Sequence, residues 1–474
     1  MQKAVLNVRS LISNFSVALL AQGIAFAVSC VISLLLPAFI DVAEFGYWQL
    51  FILFSNYVGL FHLGLNDGVY LIEGGNSRSQ IDKGAIKSLF SCGAAFQCVF
   101  AVIIIVFALV TPMEPKREFV FIATAIFLLL SNFTNYWGYV FQAMNETKLY
   151  SASVAINRLV FLVPLLICML LGCRDFQIYV AFYLFAQAIA LLFCLYKAKD
   201  FLAEHVMAWK DAVVQTFSTI RVGAKLMIAS LFGMLIIGSM QFFVDSQGDI
   251  EMFSKFSFAL SMVAFFMIFI YQASMVLFPA LRQTNKEEQK EVFVAARDGL
   301  DAILPMVFLC YYPAVALLML WLPQYELSFS LFALLLPICI FDGKMDLIGT
   351  TYLKVLRGES LLLKINLVSL LACLACIGLN AWLFDSLTVL SILLACVVAG
   401  RSLFTEYLVE NKLGTGHTPA GFEIVALSAI FIAFTMLAPT WLAIVIYAVC
   451  YFAFLWINRS RSIAAFRTLK NKSK

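Results

Sequence analysis

Residues 87 to 110 read KSLFSCGAAFQCVFAVIIIVFALV, with one charge at the first position and none after it. At a rise of about 1.5 Å per residue a helix of this length is roughly 36 Å long, and the hydrocarbon core of a bilayer is about 30 Å thick. The stretch is typical of the chain. The 474 residues are 63% hydrophobic and 13% charged, with 46 phenylalanines, against about 25% charged in an ordinary soluble domain. No water-soluble core could enclose so much apolar side chain, so lipid must act as its solvent.

Similar segments lie at about 14–36, 46–71, 118–140, 150–171, 176–196, 222–243, 256–278, 299–322, 327–348, 361–383, 386–408, 422–438 and 440–457. With 87–110 they make fourteen, and the expected fold is an all-α polytopic membrane protein. The short basic N-terminus, MQKAVLNVRSLISNF, runs into an apolar segment longer than a signal peptide requires, so it reads as an uncleaved first span.

Lysine and arginine then set the direction. With the N-terminus inside, the inner segments carry Lys3, Arg9, Arg78, Lys83, Lys87, Lys148, Lys197, Lys199, Lys210, Arg221, Lys225, Arg282, Lys286, Lys290, Arg297, Lys354, Arg357, Lys364, Lys412 and the tail from Arg459. The outer loops hold only Lys116, Arg117, Arg174 and Lys255. Both termini are therefore expected in the cytoplasm.

The longest hydrophilic segment, 197–221, repeats Leu202, Val206, Trp209, Val213, Phe217 and Ile220 at three- and four-residue spacing. That pattern is expected to form an amphipathic helix in the interface plane. It divides the chain into a six-helix bundle at 1–196, a second at 222–410, a terminal helix pair at 411–458 and a basic cytoplasmic tail at 459–474. ISNFSVALLAQGIAFAVS in the first span and IRVGAKLMIASLFGMLIIGS in the seventh echo each other weakly, as repeated transporter bundles do.

Three stretches carry a family resemblance. AEFGYWQLFILFSNYVGLFHLGLNDGVYL (43–71), GAKLMIASLFGMLIIGSMQFFVD (223–245) and FSKFSFALSMVAFFMIFIYQASMVLFPAL (253–281) resemble the second, seventh and eighth helices of Wzx-type O-antigen and polysaccharide flippases. These belong to the multidrug/oligosaccharidyl-lipid/polysaccharide (MOP) exporter superfamily. The resemblance implies two bundles forming a V around a central cavity that opens to alternate sides. It implies an undecaprenyl-pyrophosphate-linked oligosaccharide as cargo, moved from the cytoplasmic to the periplasmic leaflet for O-antigen or lipopolysaccharide biosynthesis. Membrane lipids, a polymerase and other polysaccharide-assembly proteins are the partners such a role implies, and H+ and Na+ stay open as coupling ions. Gln241 stands where many relatives would have Arg, so no charged role is expected there.

Pyrophosphate needs cationic partners, and a hydrated sugar needs hydrogen-bonding groups along a wet path. Arg158 is the preferred cargo contact, about 12 Å along span five, with an interhelical salt bridge as its other reading. Arg401, about 22 Å along span twelve, either lines an inner vestibule or snorkels. Lys225 either receives phosphate or anchors span seven. Asn132 and Asn135 suit sugar hydroxyls, and cross-helix hydrogen bonds account for them equally well. His62 and Asp67 at the inner end of span two, and Glu406, are candidates for gating or coupling. For Glu406 a local charge partner is the plainer reading.

PICIFDGKMDLIG (337–349) adds Asp342 and Asp346 to the gating candidates. They share a helix face at the cytoplasmic third of span ten, with Lys225 or Arg401 as available partners. Lys344 projects the other way and is expected to snorkel.

The chain has no Gly-rich loop ending in Lys-Ser/Thr, no metal-spaced His, Cys or carboxylate set and no convergent Ser/His/Asp set. No catalysis, cofactor, metal or nucleic-acid partner is expected. The twelve cysteines, including Cys373-x-x-Cys376, read as packing residues. A cation-coupled multidrug antiporter is the first alternative, and a polytopic polysaccharide polymerase the second.

Overall fold

The computed structural model describes residues 23, 28–282 and 286–472, and every regular element among them is helical. The chain forms two compact units, Met1–Leu231 and Phe232–Lys474. Most of the first expected span, with Lys3 and Arg9, lies outside the described residues.

In the first unit, α1 (Val28–Phe39) is followed by α2 (Val42–His62) and α3 (Leu65–Glu73). Then come α4 (Lys83–Val110), α5 (Pro115–Ala143), α6 (Thr147–Leu170), α7 (Phe176–Lys197), the short α8 (Lys199–Leu202) and α9 (Trp209–Ser246), whose residues from Phe232 onward belong to the second unit. Local chemistry sets several ends. Asp82 caps α4 by accepting the Ala85 N–H at 3.0 Å. Pro115 opens α5, where its missing N–H costs nothing.

The expected second span is one segment in sequence and two in space. It bends by 56° between α2 and α3, where Leu63 and Gly64 both take positive φ. Close packing explains why glycine sits there. A Cβ on Gly68 would fall 2.1 Å from the Thr219 carbonyl oxygen, and one on Gly223 would fall 2.1 Å from that of Gly64. So α3 and α9 touch backbone to backbone, as small residues allow in membranes.

Two aromatic cores hold the unit. Trp48 stacks on Phe161 at 6.0 Å between ring centroids, with Tyr183 edge-on. Near the other end, Trp137 and Phe141 of α5 pack with Leu65, Val69, Ile86 and Phe201. Glu44, in the acidic turn before the Gly-Tyr pair, is buried. It bonds Lys116 and accepts the Phe176 N–H at 2.9 Å, tying α2 to the start of α7.

The expected separate interfacial helix is not formed. Residues 209–246 are one continuous helix, so 209–221 extends span seven. No proline interrupts 209–246, and Gly223, Gly233 and Gly238 are carried inside the helix, which ends before Gly248. Val206, Trp209 and Phe217 are nevertheless exposed.

The second unit contains α10 (Ile250–Arg282), α11 (Lys286–Ile303), α12 (Val307–Trp321), α13 (Glu326–Leu335), α14 (Pro337–Lys344), a π-helical turn (Met345–Thr350), α15 (Thr351–Val355), α16 (Glu359–Leu383), α17 (Leu387–Leu413), α18 (Ala420–Leu437), α19 (Thr440–Ile457) and α20 (Arg459–Lys472). The tail expected at 459–474 is helical over its described part. Cys373 is buried and donates to the Ile236 carbonyl at 3.1 Å, a packing role.

Among the described residues eleven helices are long and apolar enough to cross a membrane, twelve when α2 and α3 count as one span. Two of the fourteen expected segments account for the difference. The first lies largely outside the described residues. The tenth breaks at Leu336 and carries Asp342, Lys344 and Asp346.

Candidate functional site

The charged residues of the tenth segment belong to a buried ionic cluster in the second unit. Lys344 ends α14 at 1% exposure, so the snorkelling expected of it does not occur. Its Nζ lies 2.6 Å from Asp301 Oδ1 of α11 and 2.8 Å from Glu406 Oε2 of α17. An ammonium in apolar surroundings must be paired, and these carboxylates pull it inward. Glu406 therefore takes the local-partner reading.

One helical turn further along α17, Glu410 Oε1 accepts from Arg297 Nη1 at 2.6 Å. Arg297 also donates to Asp298 Oδ1 at 2.9 Å and to the Gly416 carbonyl at 3.0 Å. Arg461 of α20 reaches Asp298 Oδ1 at 2.8 Å. Arg297 is 3% exposed.

Arg401 pairs with Asp342 at 3.2 Å, one of the two partners the sequence offered. It also lines a cavity of about 520 Å³ between α16 and α17, with Lys364, Val368, Phe404 and Leu408. Asp346 is half-buried in the π turn. That turn packs on α17 through Gly349, where a Cβ would lie 2.9 Å from Thr405 Cγ2.

In the first unit the candidates separate. His62 Nδ1 accepts the Gly64 N–H at 3.0 Å, and its Nε2 lies 3.9 Å from Asp67 Oδ2, so both sit at the bend. Asn132 is fully buried and donates to the Val58 carbonyl at 2.9 Å. Val58 begins the 3-10 turn that ends α2, so Asn132 braces that turn. Asn135 is half-buried, 3.4 Å from Ser131 Oγ. Lys225 is exposed on α9.

Arg158 differs from the other membrane-depth cations of the candidate set. Its neighbour Asn157 donates to Gln187 Oε1 at 2.6 Å, locking α6 to α7. Arg158 lies one position round from the buried stripe Asn157, Phe161 and Leu165, and is itself half-buried. Among the described residues it has neither a hydrogen bond nor an ion pair.

A second ionic cluster closes the ends of the first unit that the charge bias assigns to the cytoplasm. Arg78 bonds Glu146 at 2.6 Å, Asp200 at 2.7 Å and the Lys197 carbonyl at 2.5 Å. Lys83 adds a contact to Asp200 at 2.9 Å. The hydrogen bond from Arg78, and then the one from Lys83, hold the Asp200 carboxyl well below the ordinary carboxylate range.

No protein-family model matches the chain, and no curated protein matches it in sequence. Solved structures do match. The lipid II flippase MurJ in an inward closed conformation superposes with a TM-score of 0.54 at 11% identity, over 92% of this chain and 99% of that one. A mutant of the Vibrio cholerae MATE transporter VcmN gives 0.51 at 14%, over 86% and 96%. A MOP superfamily transporter from Pyrococcus furiosus gives 0.50 at 12%, over 87% and 99%.

The chain has the fold of these transporters.

The sequence reading passed over Asp301, Asp298 and Glu410 as partners, and misplaced Lys344. One signal was available: Asp301 falls inside one apolar segment and Lys344 inside the next. Opposite charges on neighbouring spans point to each other, because neither is stable alone at that depth.

Proposed function

We propose that this protein is a flippase for an undecaprenyl-pyrophosphate-linked oligosaccharide. It moves its cargo from the cytoplasmic to the periplasmic leaflet of a bacterial inner membrane by alternating access. The observation that carries the reading is Arg158. Lys344 and Arg401 have carboxylates beside them, whereas Arg158 has no partner among the described residues. An uncompensated guanidinium in an apolar helix is costly unless an anion or water meets it. A pyrophosphate supplies that anion with geometry suited to a planar fork. The fold shared with the lipid II flippase MurJ supports the transport class.

A cation-coupled antiporter is the second reading, favoured by the shared fold with the MATE transporter VcmN. It needs a carboxylate free to meet a cationic drug. Asp301, Glu406, Glu410 and Asp342 are already beside cations, which weighs against it.

The test is Arg158→Ala in the native host. Surface polysaccharide should fall and lipid-linked repeat units should accumulate facing the cytoplasm. Normal polysaccharide at normal protein levels would remove Arg158 from the path. Drug sensitivity with unchanged polysaccharide would favour the antiporter.

A further inference from the structure

The cavity between α16 and α17 is a groove of about 520 Å³, within the ~300–1,000 Å³ of ordinary small-molecule sites. Ile365, Ala372, Val397 and Leu408 line it with Gly400, where a Cβ would meet nothing within 4 Å. Val368 and Phe404 in its lining are 65% and 55% exposed. Apolar side chains exposed at this depth meet acyl chains, because a wet path needs polar lining. From Leu361 to Ala372 the groove follows α16 for about 17 Å. That is close to one leaflet's share of a hydrocarbon core of about 30 Å.

Two cations line this groove at different depths. The start of α16 and the end of α17 lie together, since a Cβ on Gly358 would fall 3.3 Å from Lys412 Nζ. From that end Lys364 lies about 9 Å along α16, and Arg401 lies about 16 Å back along α17. Lys364 is exposed, with neither a hydrogen bond nor an ion pair among the described residues. Arg357 and Lys412, at the same end, are also exposed, and Glu359 there is half-buried. The mouth of the groove is therefore basic. Arg401 is placed differently. Its side chain is 9% exposed and its charge is met by Asp342, yet its buried Nε has no hydrogen-bond partner. A buried N–H without an acceptor is costly, and with the charge already met a neutral oxygen is enough to satisfy it.

We infer that the α16–α17 groove is a binding site for one anionic diacyl phospholipid, from the leaflet that the charge bias assigns to the cytoplasm. One acyl chain fills the groove, the Lys364 ammonium meets the phosphate, and the Arg401 Nε–H donates to a glycerol ester carbonyl. The order of the two cations matches such a lipid, whose ester carbonyls lie deeper than its phosphate. Arg357 and Lys412 at the mouth favour an anionic headgroup over one that carries its own ammonium. An undecaprenyl chain is much longer than an acyl chain and would overrun a groove of one leaflet's depth. The inference goes beyond the flippase reading and does not rest on it.

The experiment is native mass spectrometry of the full chain, released from detergent micelles holding equal amounts of dioleoyl phosphatidylglycerol and dioleoyl phosphatidylcholine. The wild type should retain phosphatidylglycerol in preference by about tenfold, the worth of one charged hydrogen bond. Lys364→Gln should cancel the preference and leave phosphatidylcholine retention unchanged. Because it alters one exposed side chain, its melting temperature in lipid-free micelles should match the wild type. Gly400→Leu should expel both lipids, since its side chain enters open space. Equal retention of the two lipids by the wild type, or a preference that survives Lys364→Gln, would overturn the headgroup contact. Retention that survives Gly400→Leu would overturn the groove. Undecaprenyl phosphate that displaces phosphatidylglycerol from the wild type at equal concentration would reassign the groove to the cargo tail and overturn the phospholipid.

Discussion

Arg401 Nη2 donates to Asp342 Oδ1 across 3.2 Å, joining α17 to α14. The pair lies close to the Lys344 cluster in sequence on both sides, since Asp342 precedes Lys344 by two residues and Arg401 precedes Glu406 by five. Among the described residues Asp342 is the group that compensates Arg401, whose buried Nε has no partner.

Asp342→Ala should therefore destabilise the protein by about 1–3 kcal/mol, the usual cost of removing a partner from a charged hydrogen bond. Arg401→Met should partly rescue it, because the orphaned charge goes too. Thermal unfolding in detergent of the two single variants and the double checks this. Additive losses would show that the two side chains do not act as a pair.

Gly223→Ala should be among the most damaging small substitutions in the first unit. Its new Cβ would meet the Gly64 carbonyl oxygen at 2.1 Å, and backbone cannot step aside as a flexible side chain can. Gly378→Ala, where the added Cβ meets nothing within 4 Å, should be neutral or slightly stabilising. Yield and melting temperature of the two variants separate the cases. Equal behaviour would mean that α3 and α9 are not held this tightly.

Acid should loosen the Arg78–Asp200–Lys83 cluster. The folded-state carboxyl is held below its unfolded value, so its contribution is present above the ordinary carboxylate range. It is lost as pH falls through the folded value. The groups are partly exposed, so the contribution is about 1 kcal/mol or less per pair. Stability of the wild type relative to Asp200→Asn should be greatest near neutral pH and shrink on acidification. A gap that is unchanged with pH would rule the carboxylate out as the source.

Asn132→Ala should release the Val58 carbonyl that its amide caps. The expected cost is about 1–3 kcal/mol for a buried acceptor left unpaired. Because Asn132 is fully buried, transport at matched protein level should be unchanged. Lost transport with wild-type stability would instead return Asn132 to the cargo path.

Arg158→Lys and Arg158→Gln grade the cargo assignment. Lysine keeps the charge and loses the fork, so it should retain part of the polysaccharide output, and glutamine should behave like alanine. Full activity in Arg158→Gln would mean that charge at this position is not used.

What the sequence determined by itself was everything that depends on one segment at a time. An apolar run such as 87–110 has to become a helix in lipid, whatever its neighbours do, because its backbone groups have no other partner. The bend at Leu63–Gly64 was half legible: glycine marked a weak point, while the close approach of α9 that requires it came from 160 residues further on. The ionic clusters were legible only in part, since a charge in an apolar segment announces a partner without naming it. Lys344 could have snorkelled toward water along its own helix. It turns inward because α11 and α17 bring Asp301 and Glu406 to within 2.8 Å of its ammonium. Arg158 stands out for the opposite reason, because no packed helix among the described residues brings it a carboxylate. The pairing of charges is a property of which helices lie side by side, and the tertiary structure alone decides that.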